Sequence, residues 1–400
     1  MLSIEKVKQA AETLKSVIRE TDLIYSPALS KDNEICLKAE NLQVTGSFKV
    51  RGAYAKIANL SEERKSKGII ACSAGNHAQG VALSAQKSGI KSTIFIPSTA
   101  PISKIEATRK YGANIELVDG VYDDAYNAAC KYQEETGAEF IHPFDDEDVI
   151  AGQGTIGLEI LEQCPDVDAV IVPIGGGGLI SGIAYTIKQL KPTCKVYGVQ
   201  AQGAGSMFRS IEANERIELP KVSTFADGTA VKIPGKNTFE LCRNYVDKIV
   251  TVTDDEIATA ILTLMENQKL VAEGAGALSV AAVIFKKFPL DGKKAVCVVS
   301  GGNIDVNILS RVINRGLLRA GRLCDLTIEM LDKPGQLKEV AQIIADLGAN
   351  VIRVHHVQGG EGTDINDCYL KISMETKHLR HFCEIKHALS KAGYNVTSTI

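Results

Sequence analysis

Residues 169–182 read AVIVPIGGGGLISG. The run Ala169–Pro173 is apolar and has the length of a strand, which is typical of a strand buried on both faces of a parallel sheet. The four glycines that follow carry a high entropic cost and have no packing role, so they indicate a loop whose backbone approaches a phosphate. A helix after the loop would direct its dipole at that anion. The loop matches neither the dinucleotide-binding pattern nor the P-loop pattern.

The order of strand, glycine-containing turn and helix recurs between residues 34 and 315. Short apolar runs predict further strands at Ile35–Lys38, Gly68–Cys72, Ser92–Ile96, Asn114–Val118, Glu139–Ile141, Lys195–Gln200, Lys248–Val252 and Ala295–Val299. This alternation predicts an α/β fold of doubly wound sheets. Ligands of such sheets bind at the carboxyl ends of the strands, where the glycine-containing turns fall.

Bulk properties narrow the class of protein. A chain of 400 residues predicts two or three domains, and 45 basic against 48 acidic residues leave no electrostatic footprint for nucleic acid or an anionic membrane. No apolar run approaches the length that crosses a bilayer, and the segment 1–17 predicts an amphipathic helix rather than a signal peptide. The ten cysteines are scattered singly. They favour reduced thiols in a cytoplasmic protein over a disulfide framework.

A candidate cofactor lysine lies in the segment Asn41–Ala53, NLQVTGSFKVRGA. Lys49 follows a Thr-Gly-Ser turn near the predicted start of a helix. A helix N-terminus and a desolvated pocket both lower the pKa of an amine, and the neutral amine is the form that condenses with an aldehyde. The alternative from the residues alone is a solvated surface lysine.

Two further turns follow predicted strands. SAGNHAQG, at Ser73–Gly80, would present backbone N–H groups to an anion such as a carboxylate, with Asn76 as a side-chain donor. We interpret the His77 ring as bonded to nearby backbone. VSGGN, at Val299–Asn303, places the Ser300 hydroxyl at the sheet edge, where it can bond a heteroaromatic nitrogen. An ordinary strand-ending turn is the alternative there.

Together the motifs SFKxRGA, SAGNHAQG, GGGGLISG and SGGN resemble those of the fold-type II, tryptophan-synthase-β-like pyridoxal-phosphate (PLP) enzymes, and specifically the threonine dehydratases. The resemblance spans residues 1–315. It implies a two-lobed catalytic domain at residues 1–320, with a small lobe inserted at about residues 50–150. It also implies pyridoxal 5′-phosphate as cofactor, with Lys49 as the Schiff-base lysine.

The same resemblance assigns roles to the motif residues. Phe48 would pack against the pyridine ring, Asn76 would bond the phenolic oxygen, and Ser300 would bond the ring nitrogen. The phosphate would lie on Gly175, Gly176, Gly177, Gly178 and Leu179. The substrate carboxylate would bind at Ser73, Ala74, Gly75, Asn76 and His77. The implied reaction converts L-threonine to 2-oxobutyrate and ammonia, and L-serine to pyruvate, with Lys49 taking the Cα proton.

Two departures separate the chain from the similar serine racemases. Their loop, SSGNH, carries a second serine that protonates Cα, and Ala74 stands at that position here. Their divalent-cation site, ExxxAxD, corresponds here to Gln200, Ala204 and Ser206, which lack both carboxylates. We therefore expect elimination rather than racemisation and no divalent metal, since hard divalent cations prefer charged oxygen ligands. A monovalent cation near these three residues is left open.

Residues 325–400 resemble an ACT domain, a regulatory module. The predicted strands Cys324–Met330, Ile352–Gln358, Asp367–Met374 and Tyr394–Ile400, with helices Gln336–Leu347 and Leu379–Lys391, give the ferredoxin-like βαββαβ order. The segment 314–323 before them reads as helical or linker-like. The cue is DKPGQL at Asp332–Leu337, which is also an ordinary turn that starts a helix. We hypothesise that isoleucine or valine binds near Gly335, Leu337 and Asn350 as an allosteric effector.

Two alternatives stay open at this stage. One is an L-serine dehydratase, because a single methyl group in a pocket changes discrimination by only about 1–3 kcal/mol. The other is a non-catalytic amino-acid sensor with a vestigial PLP domain. The resemblance further implies a homodimer or homotetramer, and it does not distinguish isoleucine synthesis from threonine breakdown.

Overall fold

The computed structural model describes residues 2–358 and 366–399, which fall into two compact units, Met1–Asp305 and Val306–Ile400. The division lies before residue 320, the predicted end of the first domain, because the helix Val306–Arg319 groups with the C-terminal unit. No helix within the described residues is long and apolar enough to cross a membrane.

The N-terminal unit alternates strands and helices along its length. Its strands are β1 Leu23–Tyr25, β2 Glu34–Lys38, β3 Ile69–Cys72, β4 Ser92–Pro97, β5 Asn114–Val118, β6 Glu139–Phe140, β7 Ala169–Pro173, β8 Lys195–Ala201, β9 Lys248–Val252 and β10 Lys294–Val298. Its helices are α1 Ile4–Leu14, α2 Lys49–Ala58, α3 Glu62–Ser66, α4 Asn76–Ser88, α5 Ile102–Arg109, α6 Tyr122–Thr136, α7 Glu147–Gln163, α8 Gly178–Leu190, α9 Ser206–Ala213, α10 Lys236–Tyr245, α11 Asp254–Thr263 and α12 Gly274–Ile284. Short 3-10 turns lie at Glu40–Leu42, Gln202–Ala204 and Asp227–Thr229, and a π turn at Leu264–Gln268.

These strands form two sheets, one in each lobe of the unit. The large sheet has the order β1-β2-β10-β7-β8-β9 and the small sheet the order β5-β4-β3-β6. Neighbouring strands are parallel, except that β1 runs antiparallel to β2. The predicted doubly wound α/β fold is confirmed, and so are all nine strands predicted between residues 34 and 315. Strand β1 was not predicted, because three residues are too few to show a period.

The centre of the large sheet explains why the sequence 169–173 is apolar. All five residues of β7 are buried, between parallel partners β10 and β8. Helices α7 and α8 pack on this sheet through residues such as Ile156, Ile180 and Ile183. Full burial of one such side chain contributes about 1.5–3 kcal/mol. The sheet therefore holds the turn after β7 on a rigid base.

Helix α7 packs against both α2 and α8, the helices that follow the Lys49 turn and the four-glycine turn. A Cβ on Gly152 of α7 would lie 2.6 Å from the carbonyl oxygen of Arg51 on α2. A Cβ on Gly154 would lie 2.9 Å from the Thr186 hydroxyl of α8. Both distances are too short for a real contact, so glycine is what allows α2 and α8 to lie against α7. Since α2 begins at Lys49 and α8 at Gly178, this packing brings the two motifs together.

The C-terminal unit is an antiparallel sheet with two covering helices. Its elements are α13 Val306–Arg319, β11 Leu323–Leu331, α14 Gln336–Asp346, β12 Asn350–Gln358, β13 Asp367–Glu375, α15 Leu379–Lys391 and β14 Asn395–Thr399. The strand order is β12-β13-β11-β14. The predicted βαββαβ order is confirmed, and the segment 314–323 is the end of α13 followed by a turn.

Candidate active site

Lys49 is the first residue of α2, and its position is fixed from both sides. The backbone N–H of Phe48 donates to the Ser300 carbonyl at 3.1 Å, and the Lys49 amine donates to the Pro143 carbonyl at 2.8 Å. The amine lies 5.3 Å from the centre of the Phe48 ring. Burial lowers the pKa of Lys49 to about 8, and the nearby Glu273 carboxyl acts in the opposite direction. The alternative of a solvated surface lysine is excluded.

The four-glycine turn lies between β7 and α8. A Cβ on Gly176 would lie 2.5 Å from the Phe144 ring, and a Cβ on Gly177 would lie 2.7 Å from the Met207 methyl carbon. Gly177 also has φ +101°, a conformation that side chains disfavour. The turn is held by the Thr238 hydroxyl, which donates to the Gly176 carbonyl at 2.6 Å. It forms a bare backbone cradle at the start of a helix, where N–H groups lack intrahelical partners and suit a phosphate.

Asn76, the first residue of α4, is held in a fixed orientation by two side chains. Its Nδ2 donates to Glu273 Oε1 at 2.6 Å, and its Oδ1 accepts from Asn303 Nδ2 at 2.8 Å. Ser300 is buried at the end of β10, and its hydroxyl makes a long 3.4 Å bond to the Ala275 carbonyl. Because that bond is long and weak, the Ser300 hydroxyl is available to donate to an unprotonated ring nitrogen.

The turn between β3 and α4 leaves open space at its centre. The Ser73 hydroxyl accepts from the Gly75 N–H at 3.1 Å, and a Cβ on Gly75 would meet nothing within 4 Å. The His77 ring is buried, and its Nε2 lies 2.7 Å from the Ile141 carbonyl. Burial, with the Lys49 charge, lowers the pKa of His77 to about 3. The ring is therefore neutral and bonded to backbone as interpreted, although that backbone is distant in sequence.

One cavity of about 850 Å³ joins these motifs. Every predicted catalytic, cofactor and substrate residue lines it: Phe48, Lys49, Ser73, Ala74, Gly75, Asn76, His77, Gly175, Gly176, Gly177, Gly178, Leu179 and Ser300. The cavity lies at the carboxyl ends of β3, β7 and β10, as doubly wound sheets require. An 850 Å³ cavity is in the range of pockets that hold cofactor-sized ligands.

The segment 142–145 supports the cavity and was not predicted from the sequence. Pro143 accepts from Lys49, and Phe144 packs on the glycine turn. The Asp145 carboxylate caps α10, accepting from the N–H groups of residues 236, 237 and 238 at 2.8–3.1 Å. His142 Nδ1 accepts from the Asp145 N–H at 2.8 Å. The only signal in the sequence was an Asp-rich turn after β6, which any N-cap would explain.

Two acidic residues of the cavity were also missed. Glu273 is buried beside Asn76, and burial together with the neighbouring Asp227 raises its pKa to about 7. Asp227 forms an ion pair with Lys104, which joins α5 of the small lobe to the 3-10 turn Asp227–Thr229 of the large one. The signal for Glu273 was a lone carboxyl in the apolar stretch 270–283.

A buried charge cluster lies beneath α2. The Arg51 guanidinium contacts Glu40 at 2.7 and 2.9 Å and Glu159 at 2.5 and 2.9 Å, and Lys38 contacts Glu159 at 2.6 Å. Arg51, Glu40 and Lys38 have no solvent exposure. The carboxylates raise the pKa of Arg51, and Arg51 lowers that of Glu40. The cluster ties the helix that begins at Lys49 to β2 and α7.

The stretch considered for a cation carries no carboxylate. Gln200 Nε2 donates to the Ala204 carbonyl at 3.1 Å, and Gln200 Oε1 accepts from the Phe208 N–H at 2.7 Å. The Ser206 hydroxyl is buried and has no hydrogen-bond partner. The Ala204 carbonyl, which a monovalent cation near these residues could use as a ligand, therefore already accepts a hydrogen bond from the Gln200 amide.

The predicted effector residues lie at two ends of α14 in the C-terminal unit. Gly335 precedes α14 with φ +98°, and Leu337 on its first turn is exposed. Asn350 begins β12, and its Nδ2 donates to Glu375 Oε2 at 2.9 Å. Within the described residues, the one group of three side chains that could hold a metal ion is Asp332, His356 and Cys368.

The chain is similar to known proteins over nearly its whole length. A family model described as pyridoxal-phosphate dependent enzyme matches residues 14–301. L-threonine ammonia-lyases of Thermotoga maritima and Geobacter sulfurreducens are 51% and 44% identical over 398 residues, which cover 99% of each chain. The structure of processed threonine deaminase isoform 2 from Solanum lycopersicum is 38% identical, with TM-score 0.74, over 78% of this chain and 89% of that one. Maize serine racemase is 35% identical, with TM-score 0.75, over 80% and 98%.

Proposed function

The chain belongs to the family of pyridoxal-phosphate dependent enzymes, and we propose that it is an L-threonine ammonia-lyase. It would convert L-threonine to 2-oxobutyrate and ammonia, and L-serine to pyruvate. The proposal is carried by one observation: Lys49, the glycine cradle, Asn76 and Ser300 line a single cavity. Similarity to L-threonine ammonia-lyases over nearly the whole chain supports the choice of substrate.

The cofactor fits the residues that are present. The bare backbone of Gly175–Gly178 would hold its phosphate, Lys49 would hold its aldehyde covalently, and Ser300 would bond its ring nitrogen. A hydroxyl at that position, unlike a carboxylate, does not keep the nitrogen protonated. When bound, pyridoxal phosphate supplies an electron sink for the charge that develops at the substrate Cα.

Lys49 is the group that would take the Cα proton. Its pKa of about 8, against about 10.4 for an ordinary lysine, gives a substantial neutral fraction near neutral pH. A base is most effective when its pKa lies near the working pH. The turn Ser73–His77, with open space at Gly75, would hold the substrate carboxylate with backbone N–H groups.

The residues also favour elimination over racemisation. Racemisation requires a second proton donor on the face of Cα opposite Lys49. Ala74 stands in the turn where such a donor would lie, and its methyl side chain has no proton to give. The His77 ring in the same turn is neutral and bonded to backbone, so it does not replace the missing donor.

The reaction is tested by the initial rate of 2-oxo acid release from L-threonine at saturating cofactor, for the wild type and for Lys49→Ala. We expect 2-oxobutyrate from the wild type and a fall of at least about 10³-fold in the variant, since Lys49 combines two roles. Pyruvate from L-serine with no product from L-threonine would make the protein an L-serine dehydratase. No product from either, in a cofactor-loaded protein, would favour the amino-acid sensor.

Regulation by an amino acid is a second part of the proposal. The βαββαβ unit at residues 323–399 supports an ACT-like regulatory role, and the exposed turn before α14 offers backbone N–H groups to a carboxylate. We place isoleucine or valine near Gly335, Leu337 and Asn350. Isothermal titration of the holoenzyme should give binding heat with one of them, and Gly335→Ala should weaken it because Gly335 has φ +98°. An absence of heat with both would contradict the effector.

We propose a cytoplasmic homodimer or homotetramer that serves isoleucine synthesis or threonine breakdown. The ten cysteines are free thiols, which suits a reducing compartment. Analytical ultracentrifugation would measure the assembly, and a monomer would contradict it. A 2-oxobutyrate flux that isoleucine suppresses would favour synthesis over breakdown.

A further inference from the structure

Glu273 occupies a helix N-cap position without acting as a cap. It precedes α12, yet its side chain makes no bond to the N–H groups of that helix. The carboxyl instead lines the cavity and is buried. A buried carboxyl is costly unless something compensates for its lost hydration, so its placement calls for a reason other than capping.

The first reason is its contact with Asn76. Glu273 Oε1 lies 2.6 Å from Asn76 Nδ2, and a carboxylate can only accept from that group. On the other side, Asn303 Nδ2 donates to Asn76 Oδ1 at 2.8 Å and also to the Thr45 carbonyl at 2.8 Å. The two contacts together define which way the Asn76 amide faces. One N–H of Nδ2 is used by Glu273, and the other remains for a ligand.

The second reason is the space that two glycines leave for this carboxyl. A Cβ on Gly301 would lie 2.5 Å from Glu273 Oε1 and 3.2 Å from Asn76 Nδ2. A Cβ on Gly228 would lie 3.3 Å from the same carboxylate oxygen. Gly301 belongs to the SGGN motif and Gly228 to the turn after Ala226, so residues far apart in sequence accommodate the Glu273–Asn76 pair.

Three charged side chains act on the Glu273 carboxyl. Asp227 opposes its ionisation, while Lys104 and Lys49 favour it. With burial, the balance raises the pKa of Glu273 to about 7, so the carboxyl titrates in the physiological range. In turn, ionised Glu273 raises the pKa of Lys49. The carboxyl therefore acts electrostatically on the nitrogen that is to hold the cofactor.

We infer that Glu273 is a positioning residue of the ammonia-lyase reaction, which fixes the Asn76 amide and stabilises positive charge on the Lys49 nitrogen. The inference rests on the proposed function and adds a residue to it. It makes Asn303, Asn76 and Glu273 a connected chain along one wall of the cavity. A carboxylate there would favour the protonated form of the Lys49 nitrogen, whether free or bound to the cofactor.

The test is the visible absorbance of the bound cofactor as a function of pH, which follows protonation of that linking nitrogen and requires no turnover. Glu273→Gln keeps the volume and an acceptor for Asn76 but removes the charge. We expect its absorbance midpoint to fall by about one pH unit relative to wild type, because loss of the carboxylate charge disfavours the protonated form of that nitrogen. Gly301→Ala, which crowds Oε1, should shift the midpoint in the same direction.

Glu218→Gln is the matched control, since Glu218 lines the same cavity but is exposed. Its midpoint should equal that of wild type. Equal midpoints for Glu273→Gln and wild type would overturn the inference, as would an equal shift in Glu218→Gln. Because the readout needs only bound cofactor, a protein inactive on threonine with a shifted Glu273→Gln midpoint would reject the reaction and keep the role of Glu273 towards the cofactor.

Discussion

The two units of the chain bury different kinds of side chain. Among the described residues, the N-terminal unit buries four charged ones: Lys38, Glu40 and Arg51 in the cluster beneath α2, and Glu273 in the cavity wall. The C-terminal unit packs its sheet and helices around aliphatic, aromatic and sulfur side chains, and the buried polar residues described there are Thr376 and His381. A buried charged side chain needs a specific partner, which here comes from a distant part of the chain. An apolar core needs only apolar residues at the regular spacing of a strand or helix. The N-terminal unit therefore depends on contacts between distant segments, and the C-terminal unit depends on a regular pattern of apolar residues.

The largest effect on stability is expected from breaking the buried cluster of the N-terminal unit. Arg51→Met leaves the Glu40 carboxylate buried without its guanidinium partner, which should reduce the free energy of unfolding by about 3–5 kcal/mol. Urea titration followed by the visible absorbance of the cofactor reports on this unit alone. Arg64→Met is the control, because the Arg64 side chain is 59% exposed and its pair with Glu139 contributes within about 1 kcal/mol. Equal losses in both variants would contradict the contrast between buried and exposed pairs.

A core substitution in the C-terminal unit should have a comparable but separate effect. Leu370→Ala on β13 removes a fully buried side chain and should destabilise that unit by about 2–5 kcal/mol. Hydrogen exchange of the strands Leu323–Leu331 and Asp367–Glu375 measures the loss, while the rate of threonine turnover should persist. Leu331→Ala, at an exposed position, should leave the exchange unchanged. Unchanged hydrogen exchange in Leu370→Ala would contradict the role of the apolar core in holding this unit together.

A pH titration would sharpen the contrast at a single carboxyl. The folded pKa of Glu273, about 7, exceeds its unfolded value of about 4.3, so the folded state binds more protons between these values. Glu273 therefore lowers stability as pH rises through this window, by up to about 4 kcal/mol. In the cofactor-free protein, Glu273→Gln should gain stability relative to wild type between pH 5 and pH 8. A difference that does not change with pH would contradict the raised pKa.

The smallest effect is expected from the ion pair at the cavity mouth. The Asp227 side chain is 58% exposed and that of Lys104 is 20% exposed, so water screens their attraction. A double-mutant cycle with Lys104→Ala and Asp227→Asn should give a coupling energy below about 1 kcal/mol in urea unfolding. A coupling as large as the effect of Arg51→Met would mean that exposure does not decide the strength of these pairs.

The fold was predictable from the sequence wherever buried residues recur at the regular spacing of a strand or helix. Strands β11 and β13 alternate between buried and less buried residues, and β7 is buried throughout. These patterns follow from the two faces of a sheet, so apolar spacing identified them. Strand β1 escaped because it is too short, and α13 was read partly as a linker because only Val312 and Gly316 of it are buried.

The site was predictable in its glycine turns but not in its buried charges. Lys49 and Gly175–Gly178 lie in motifs whose local chemistry points to a cofactor. Glu273 and the segment 142–145 have no such local signal, because their roles come from contacts across the chain. The Asn76–Glu273 bond joins residues 197 positions apart. The order of strands in the sheets decides which residues so far apart in sequence come into contact, and a single sequence does not reveal that order.

The most direct test of the central claim is to locate the cofactor on the chain. The holoenzyme would be reduced with borohydride, digested, and the peptides weighed by mass spectrometry. The account predicts one modified lysine, Lys49, carrying the mass of reduced pyridoxal phosphate, and no such peptide from Lys49→Ala. Modification of a different lysine, or an unmodified Lys49 in a protein loaded with the cofactor, would contradict it.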